Sequence, residues 1–232
     1  VTATNVSAAG KCANGVVRTH RPKGEAKREA ILDAAERIFA ERGYHGTSLR
    51  DVAQDARAGI GLLNYYFPTK AELFRQVVLR RRDVLQERVA ASLRAVGPGG
   101  NPHEAGAGVI RAFLAAFLEI CVGADEGLRN YVRLTSRFMT AYNEPELHDP
   151  LTSLHPITEL FVDKLRSVYP HMNERRFHAA LYAMEASLIF MVQDPGFLDE
   201  LSGGHHRAAA IDRIVDDLVP FFAGGLHAIA GH

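Results

Sequence analysis

The sequence predicts an all-α protein in two parts: a three-helix unit over residues 23–74 holding a helix-turn-helix, and a larger helical body over 75–232. Three observations carry this. Apolar residues recur three and four apart through most of the chain, with no competing strand alternation. Gly and Pro clusters separate the periodic stretches, most clearly Gly97 to Pro102 (GPGGNP). Between Thr47 and Lys70 two short helical patterns flank a tight turn.

Taken in order, residues 1–22 are Ala-, Ser-, Thr- and Asn-rich with little apolar periodicity, and read as a disordered arm. Lys11, Arg18, Arg21 and Lys23 make it basic, so it is either a DNA-touching arm or a leader without function. Glu25 to Arg42 reads as a helix with Ile31, Ala34, Ala35, Ile38 and Phe39 on one stripe. Gly43 is placed to stop it, and Tyr44 to close the small core behind it. Ser48 to Asp55 follows, with Ser48 as cap, Asp51 completing a capping box, and an apolar stripe of Leu49, Val52 and Ala53. Ile60 to Phe67 is the second short helix. Leu63 and Phe67 are its inward pair, which turns Asn64, Tyr65 and Tyr66 to other faces. A helix that exposes an amide and two phenols suits a DNA major groove. In that geometry the first helix braces on the backbone and the second enters the groove.

Lys70 to Ala95 reads as a long helix, basic at Arg80, Arg81 and Arg82. That cluster is either a solvated face or a phosphate contact. Five further helices are expected at Glu104–Gly123, Asp125–Tyr142, Leu151–Tyr169, Glu174–Val192 and Arg207–Leu226. Breaks are expected at Glu144-Pro145, Asp149-Pro150, Tyr169-Pro170, Asp194-Pro195-Gly196 and Gly203-Gly204. Phe177, Leu181, Met184, Leu188 and Met191 form one helical stripe. Ile211, Ile214, Val215, Leu218 and Phe222 form another, in a helix that Pro220 should bend or end. Each is either an internal stripe or dimer material.

Net charge is zero but unevenly spread. Up to Arg82 there are 15 Lys and Arg against 8 Asp and Glu, giving +7; from Asp83 there are 12 against 19, giving −7. A basic first third and an acidic remainder let one end approach phosphates while the other is repelled. No run reaches the ~18 to 20 uninterrupted apolar residues of a membrane span. The N-terminus lacks a signal-peptide layout, so a cytoplasmic protein is expected. Cys12 and Cys121 stand far apart, in no metal or redox spacing, and read as reduced thiols.

The text ILDAAERIFAERGYHGTSLRDVA followed by LLNYYFPTKAELF resembles the DNA-binding region of the TetR family of bacterial transcriptional regulators. The family pattern is G-[YF]-x-x-T-[ST]-[LVM]-R-D-[IV]-A, a turn, then [YH]-[YH]-F-x-[ST]-K-x-x-L. The match covers roughly Ile31 to Phe74. It implies an N-terminal DNA-binding domain, with Thr47, Ser48, Arg50, Leu62, Asn64, Tyr65, Tyr66 and Lys70 as the DNA-contacting set. It implies a helical ligand-binding and dimerisation domain after it, the last two long helices pairing with their copies. It further implies a bacterial repressor released from a palindromic duplex operator by a small apolar effector, with an activator or corepressed regulator as the alternative. At the turn the family has Ala-Gly-Val-Ser. Read without gaps, this chain has Ala56-Arg57-Ala58-Gly59, placing Arg57 where Gly normally supplies a positive φ, at about 1 to 2 kcal/mol. A gapped reading instead makes Ala58-Gly59-Ile60 the turn. The ungapped one keeps Thr47 and Tyr66 at family spacing.

For the effector, Phe113, Phe117, Leu134, Phe138, Tyr142 and Phe161 are expected to enclose an apolar cavity. Arg133 and Arg137 either hold a ligand anion or pair with local acids such as Glu119 and Glu126. Two rival classes are weaker. An enzyme has no nucleophile elbow or phosphate loop to support it, and neither His148-Asp149 with His155 nor His205-His206 has zinc spacing; no metal or cofactor is expected. A helical protein-binding adaptor has no use for the charge split or the Asn-Tyr-Tyr face.

Overall fold

Ile31, Ala34, Ala35, Ile38 and Phe39 form one buried stripe along the first helix, α1 (Lys23–Arg42). The two short helices and the start of the next long one pack on it. The computed structural model describes residues 23–141, 143–194, 196–205 and 211–230. The arm over 1–22 with its basic residues and Cys12, and also Tyr142 and His206, lie outside the described residues.

α1 stops at Gly43, whose φ of 73° is left-handed and whose N–H donates to the Phe39 carbonyl at 3.0 Å. α2 (Leu49–Asp55) is capped by Ser48, whose Oγ accepts from the Asp51 N–H at 3.1 Å. Asp51 lies 3.8 Å from Arg42. Ala56 and Arg57 make the turn. Arg57 adopts a φ of 48°, so the ungapped reading holds. α3 (Ile60–Tyr66) then buries Leu63 and, just past its end, Phe67. Tyr44 stacks on Phe39 and meets Phe74 edge-on, closing this small core.

α4 (Lys70–Arg94) starts at Thr69, whose Oγ1 accepts from the Glu72 N–H at 3.0 Å. It is continuous across the boundary drawn at 74/75. Leu73, Phe74, Val77 and Val78 sit beside the N-terminal helices, and Leu85, Val89 and Leu93 belong to the body. The body adds α5 (Pro102–Val122), α6 (Glu126–Phe138), α7 (Pro145–Thr152), α8 (His155–Val168), α9 (Glu174–Gln193), α10 (Phe197–Leu201) and α11 (Ile211–Ala230). α5 packs on α4, α8 and α11 with Val109, Ile110, Phe113 and Leu114 buried. By length and composition it could cross a membrane, although Arg111 and Glu119 interrupt it; here it is a core helix.

Four expectations are corrected. The helix expected over Asp125–Tyr142 ends at Phe138 and passes into a 3-10 turn, Met139–Ala141. Asp149-Pro150 is no break: Pro150 lies buried inside α7, which starts with Pro145 and buries Leu147 and Leu151 on one face. The expected Leu151–Tyr169 helix therefore divides at Ser153 and Leu154. α11 runs through Pro220, so that residue does not end the helix; it is exposed, and the missing hydrogen bond falls on the water side. The stripe of Phe177, Leu181, Met184 and Leu188 is buried within this chain, as is Val215. The exposed apolar residues of these helices are others: Tyr182, Phe190, Phe221 and Ile229.

Candidate nucleic-acid interface and ligand cavity

α3 projects because its inward pair is short. Leu63 and Phe67 reach the core, leaving Ile60, Gly61, Leu62, Asn64 and Tyr65 exposed. Tyr65 is 78% exposed, the most open of this group among the described large apolar and aromatic side chains. Tyr66 does a different job. It is half-buried, and its hydroxyl donates to the Gly24 carbonyl at 3.1 Å, tying α3 to the start of α1. Ser48 and Arg50 are exposed at the start of α2. Thr47 is buried, with its hydroxyl donating to the Gly43 carbonyl at 2.7 Å. Lys70 is turned inward: its Nζ donates to the carbonyls of Tyr44 at 3.0 Å and Thr47 at 3.3 Å and lies 4.3 Å from the Tyr44 ring centroid. Thr47 and Lys70 therefore hold the loop before α2. Ser48, Arg50, Leu62, Asn64 and Tyr65 form the outward surface.

Two members of the arginine cluster on α4 are taken up in ion pairs with α1, while Arg82 pairs with the exposed Asp83 beside it. Arg80 pairs with Asp33 at 2.6 Å and Glu29 at 3.1 Å, and Arg81 with Glu36 at 2.9 Å. Glu36 is buried. Desolvation raises its pKa above the usual carboxylate value, with Arg81 opposing. These ion pairs lock α1 to α4. A second tie comes from α6: the Arg137 guanidinium donates to the carbonyls of Ala40 and Glu41, both at 3.3 Å, at the C-terminal end of α1. A third is the Tyr131 hydroxyl, which donates to the Val78 carbonyl at 2.6 Å.

Within the body a cavity of about 70 Å³ lies between α4, α5, α6, α8 and α9. Phe113 and Phe117 line it as expected, and Phe161 stacks on Phe113 with centroids 4.0 Å apart. Leu134 is core, and Phe138 is buried against Phe74 at the junction with the N-terminal unit. Arg133 is exposed and Arg137 is at α1, so neither expected anion-binding arginine lines the cavity. The wall holds residues that sequence reasoning missed, among them Leu85, Thr135, Ser136, His155, Thr158, Glu185 and Leu188. The hydroxyls of Thr135 and Ser136 bond back to carbonyls of their own helix. Among the described residues no group of three metal-type ligands occurs.

A three-helix unit that offers one short helix outward, joined by a continuous helix to a cavity-bearing helical body, defines a helix-turn-helix regulator. Two family descriptions match the chain. "Bacterial regulatory proteins, tetR family" matches residues 31–77, and "Tetracyclin repressor-like, C-terminal domain" matches residues 111–225. The transcriptional repressor BepR of Brucella suis is 36% identical over 210 residues, 85% of this chain and 95% of that protein. The regulator LmrA of Bacillus subtilis is 35% identical over 69 residues. The chain spans between 35% and 50% of the length of LmrA and two further curated relatives. A TetR-like regulator from Rhodococcus sp. RHA1 shares the fold at 20% identity and a TM-score of 0.56, over 89% of this chain and 97% of that one. AibR, crystallised with isovaleryl coenzyme A and operator DNA, does so at 17% identity and 0.58, over 84% and 97%. The chain belongs to the TetR family of bacterial regulatory proteins.

Proposed function

We propose that the chain is a non-enzymatic repressor that binds a palindromic operator as a homodimer and leaves it when a small, largely apolar effector enters the α4–α9 cavity. One observation carries the reading. On α6, Thr135 and Ser136 line the cavity, and the very next residue, Arg137, grips the end of α1. α4 joins the same two places, with Leu85 at the cavity and Arg80 and Arg81 on α1. A cavity of about 70 Å³ is well below the ~300 Å³ at which ordinary ligand pockets begin. Admitting an effector therefore spreads helices that carry the DNA-reading unit. An effector favouring the spread form must weaken DNA binding by the same factor that DNA weakens effector binding, typically ~1 to 3 kcal/mol.

The dimer is assigned to α9 and α11, whose outward faces leave Tyr182, Phe190 and Phe221 exposed at 77%, 49% and 72%. Two copies of α3 about 34 to 36 Å apart would read the two half-sites. The test is selection of bound duplexes from fragmented genomic DNA, then affinity for the winning duplex at two salt concentrations. The expected outcome is an inverted repeat, a steep salt slope, and a loss of about tenfold or more on Tyr65→Ala with unchanged thermal stability. Selected duplexes without twofold symmetry, or full affinity in Tyr65→Ala, would sink the assignment.

A further inference from the structure

The geometry points to an effector that carries one cationic group, an amine or ammonium on a compact aromatic or aliphatic body, with Glu185 of α9 as its counter-charge. This rests on the cavity being the effector site. Glu185 projects into a wall otherwise built largely from apolar side chains, including Leu85, Phe113, Phe117 and Leu188. It is the sole carboxylate lining that cavity among the described residues. The contrast with Glu36 is informative. Glu36 is fully buried and is held by Arg81, with Arg80 beside it, whereas Glu185 is only half-buried at the cavity wall. Beside Glu185 the cavity wall offers the Thr158 hydroxyl and the exposed His155, and no lysine or arginine lines it. Partial burial raises its carboxyl above the ordinary value, with Thr158 and His155 opposing.

A carboxylate in an apolar wall without a guanidinium or ammonium is unfavourable. Evolution could have put Gln or Leu there. A ligand cation supplies what the fold omits, and it would do so next to aromatic faces: Phe113 and Phe117 meet edge-on with centroids 5.2 Å apart. An ammonium beside such rings gains a cation–π attraction in addition to the charge pair. The same carboxylate repels an anionic head. The two arginines that sequence alone had offered for an anion lie outside the cavity. A carboxylic acid or acyl thioester seated with its polar end at Glu185 is therefore disfavoured.

The experiment uses three probes with one body and different heads: 4-phenylbutylamine, 4-phenylbutan-1-ol and 4-phenylbutyrate. Each is titrated calorimetrically into the full chain and into Glu185→Gln near neutral pH. The amine should bind about tenfold more tightly than the alcohol, with the acid weakest. Glu185→Gln should bring the amine down to the alcohol's affinity while leaving the alcohol within about twofold. Its melting temperature should equal or exceed the parent's, which separates lost charge from lost fold. Leu188→Trp, which fills the cavity, should weaken all three. Equal affinity for acid and amine, a surviving amine preference in Glu185→Gln, or no binding of any probe would overturn the inference. Retention of the selected duplex is followed in the same samples. Amine binding with the expected charge preference but no DNA release would refute the regulatory reading and leave this one standing.

Discussion

Arg57 holds a φ of 48° between α2 and α3, the one described residue other than glycine with a positive φ. Its side chain is exposed, and its carbonyl accepts from Lys27 Nζ at 3.2 Å, a bond that any residue at this position can keep. For a residue with a Cβ, the left-handed region costs about 1 to 2 kcal/mol. Arg57→Gly removes that strain. It also loosens the unfolded chain, returning about 0.4 to 1 kcal/mol. The net expectation is a gain of about 0.5 to 1 kcal/mol, or about 1 to 4 °C in a thermal scan for a chain of this size. Urea unfolding of the parent, Arg57→Gly and Arg57→Ala decides the matter. The alanine variant keeps the Cβ and loses the charge, so it isolates electrostatics from backbone strain. The midpoint should rise in Arg57→Gly and not in Arg57→Ala, with the denaturant slope unchanged. A glycine variant no more stable than the alanine one would refute the strain argument.

Three further outcomes are expected. Lys70→Met should lose about 1 to 3 kcal/mol of stability in urea, because two carbonyl bonds and the ring contact with Tyr44 disappear; unchanged stability with a shallower salt slope on DNA would instead assign Lys70 to phosphate. Arg137→Ala should speed amide exchange in the last turn of α1 by removing the donors to Ala40 and Glu41, which mass-detected hydrogen exchange will read. The pH dependence of Glu36 has a definite sign. Its pKa is raised in the fold, so its contribution is fully present below the ordinary value of 4.5 and is lost as pH rises through the raised one. Glu36→Gln should flatten that decline in unfolding free energy measured across the same pH range, and an unaltered profile would count against burial as the dominant cause.

Much of the N-terminal unit was legible because its chemistry is local. The stripe of α1, the stop at Gly43, the Ser48 cap and the Leu63–Phe67 pair are set by residues within one or two turns of each other. Even the strain at Arg57 could be read from a missing glycine. The capping pair Thr69 and Glu72 was equally local and went unread, as did Pro145 in the first turn of α7 with Leu147 and Leu151 four apart. What sequence could not supply was pairing across the fold. Lys70 matches a family contact position, yet its ammonium finds the carbonyls of Tyr44 and Thr47, more than twenty residues upstream and near only after folding. Arg80 and Arg81 find acids more than forty residues upstream. The cavity failed for the same reason. Its aromatic residues, Phe113 and Phe117, sit on one helix and were found by spacing, whereas Glu185, Thr158 and Thr135 come together from three.

The unbroken course of α4 has a mechanical consequence. Fifteen residues separate Leu85 at the cavity from Lys70 beside the reading unit, roughly 22 Å of rigid rod at 1.5 Å per residue. A tilt of about 5° pivoting at Leu85 swings the far end by roughly 2 Å, and in the proposed dimer two such rods moving oppositely about the twofold axis would change their separation by roughly 4 Å. That exceeds the 3.4 Å step between successive nucleotides of one strand. A rotation too small to break any helix would thus throw two reading heads out of phase with the duplex by a whole base pair.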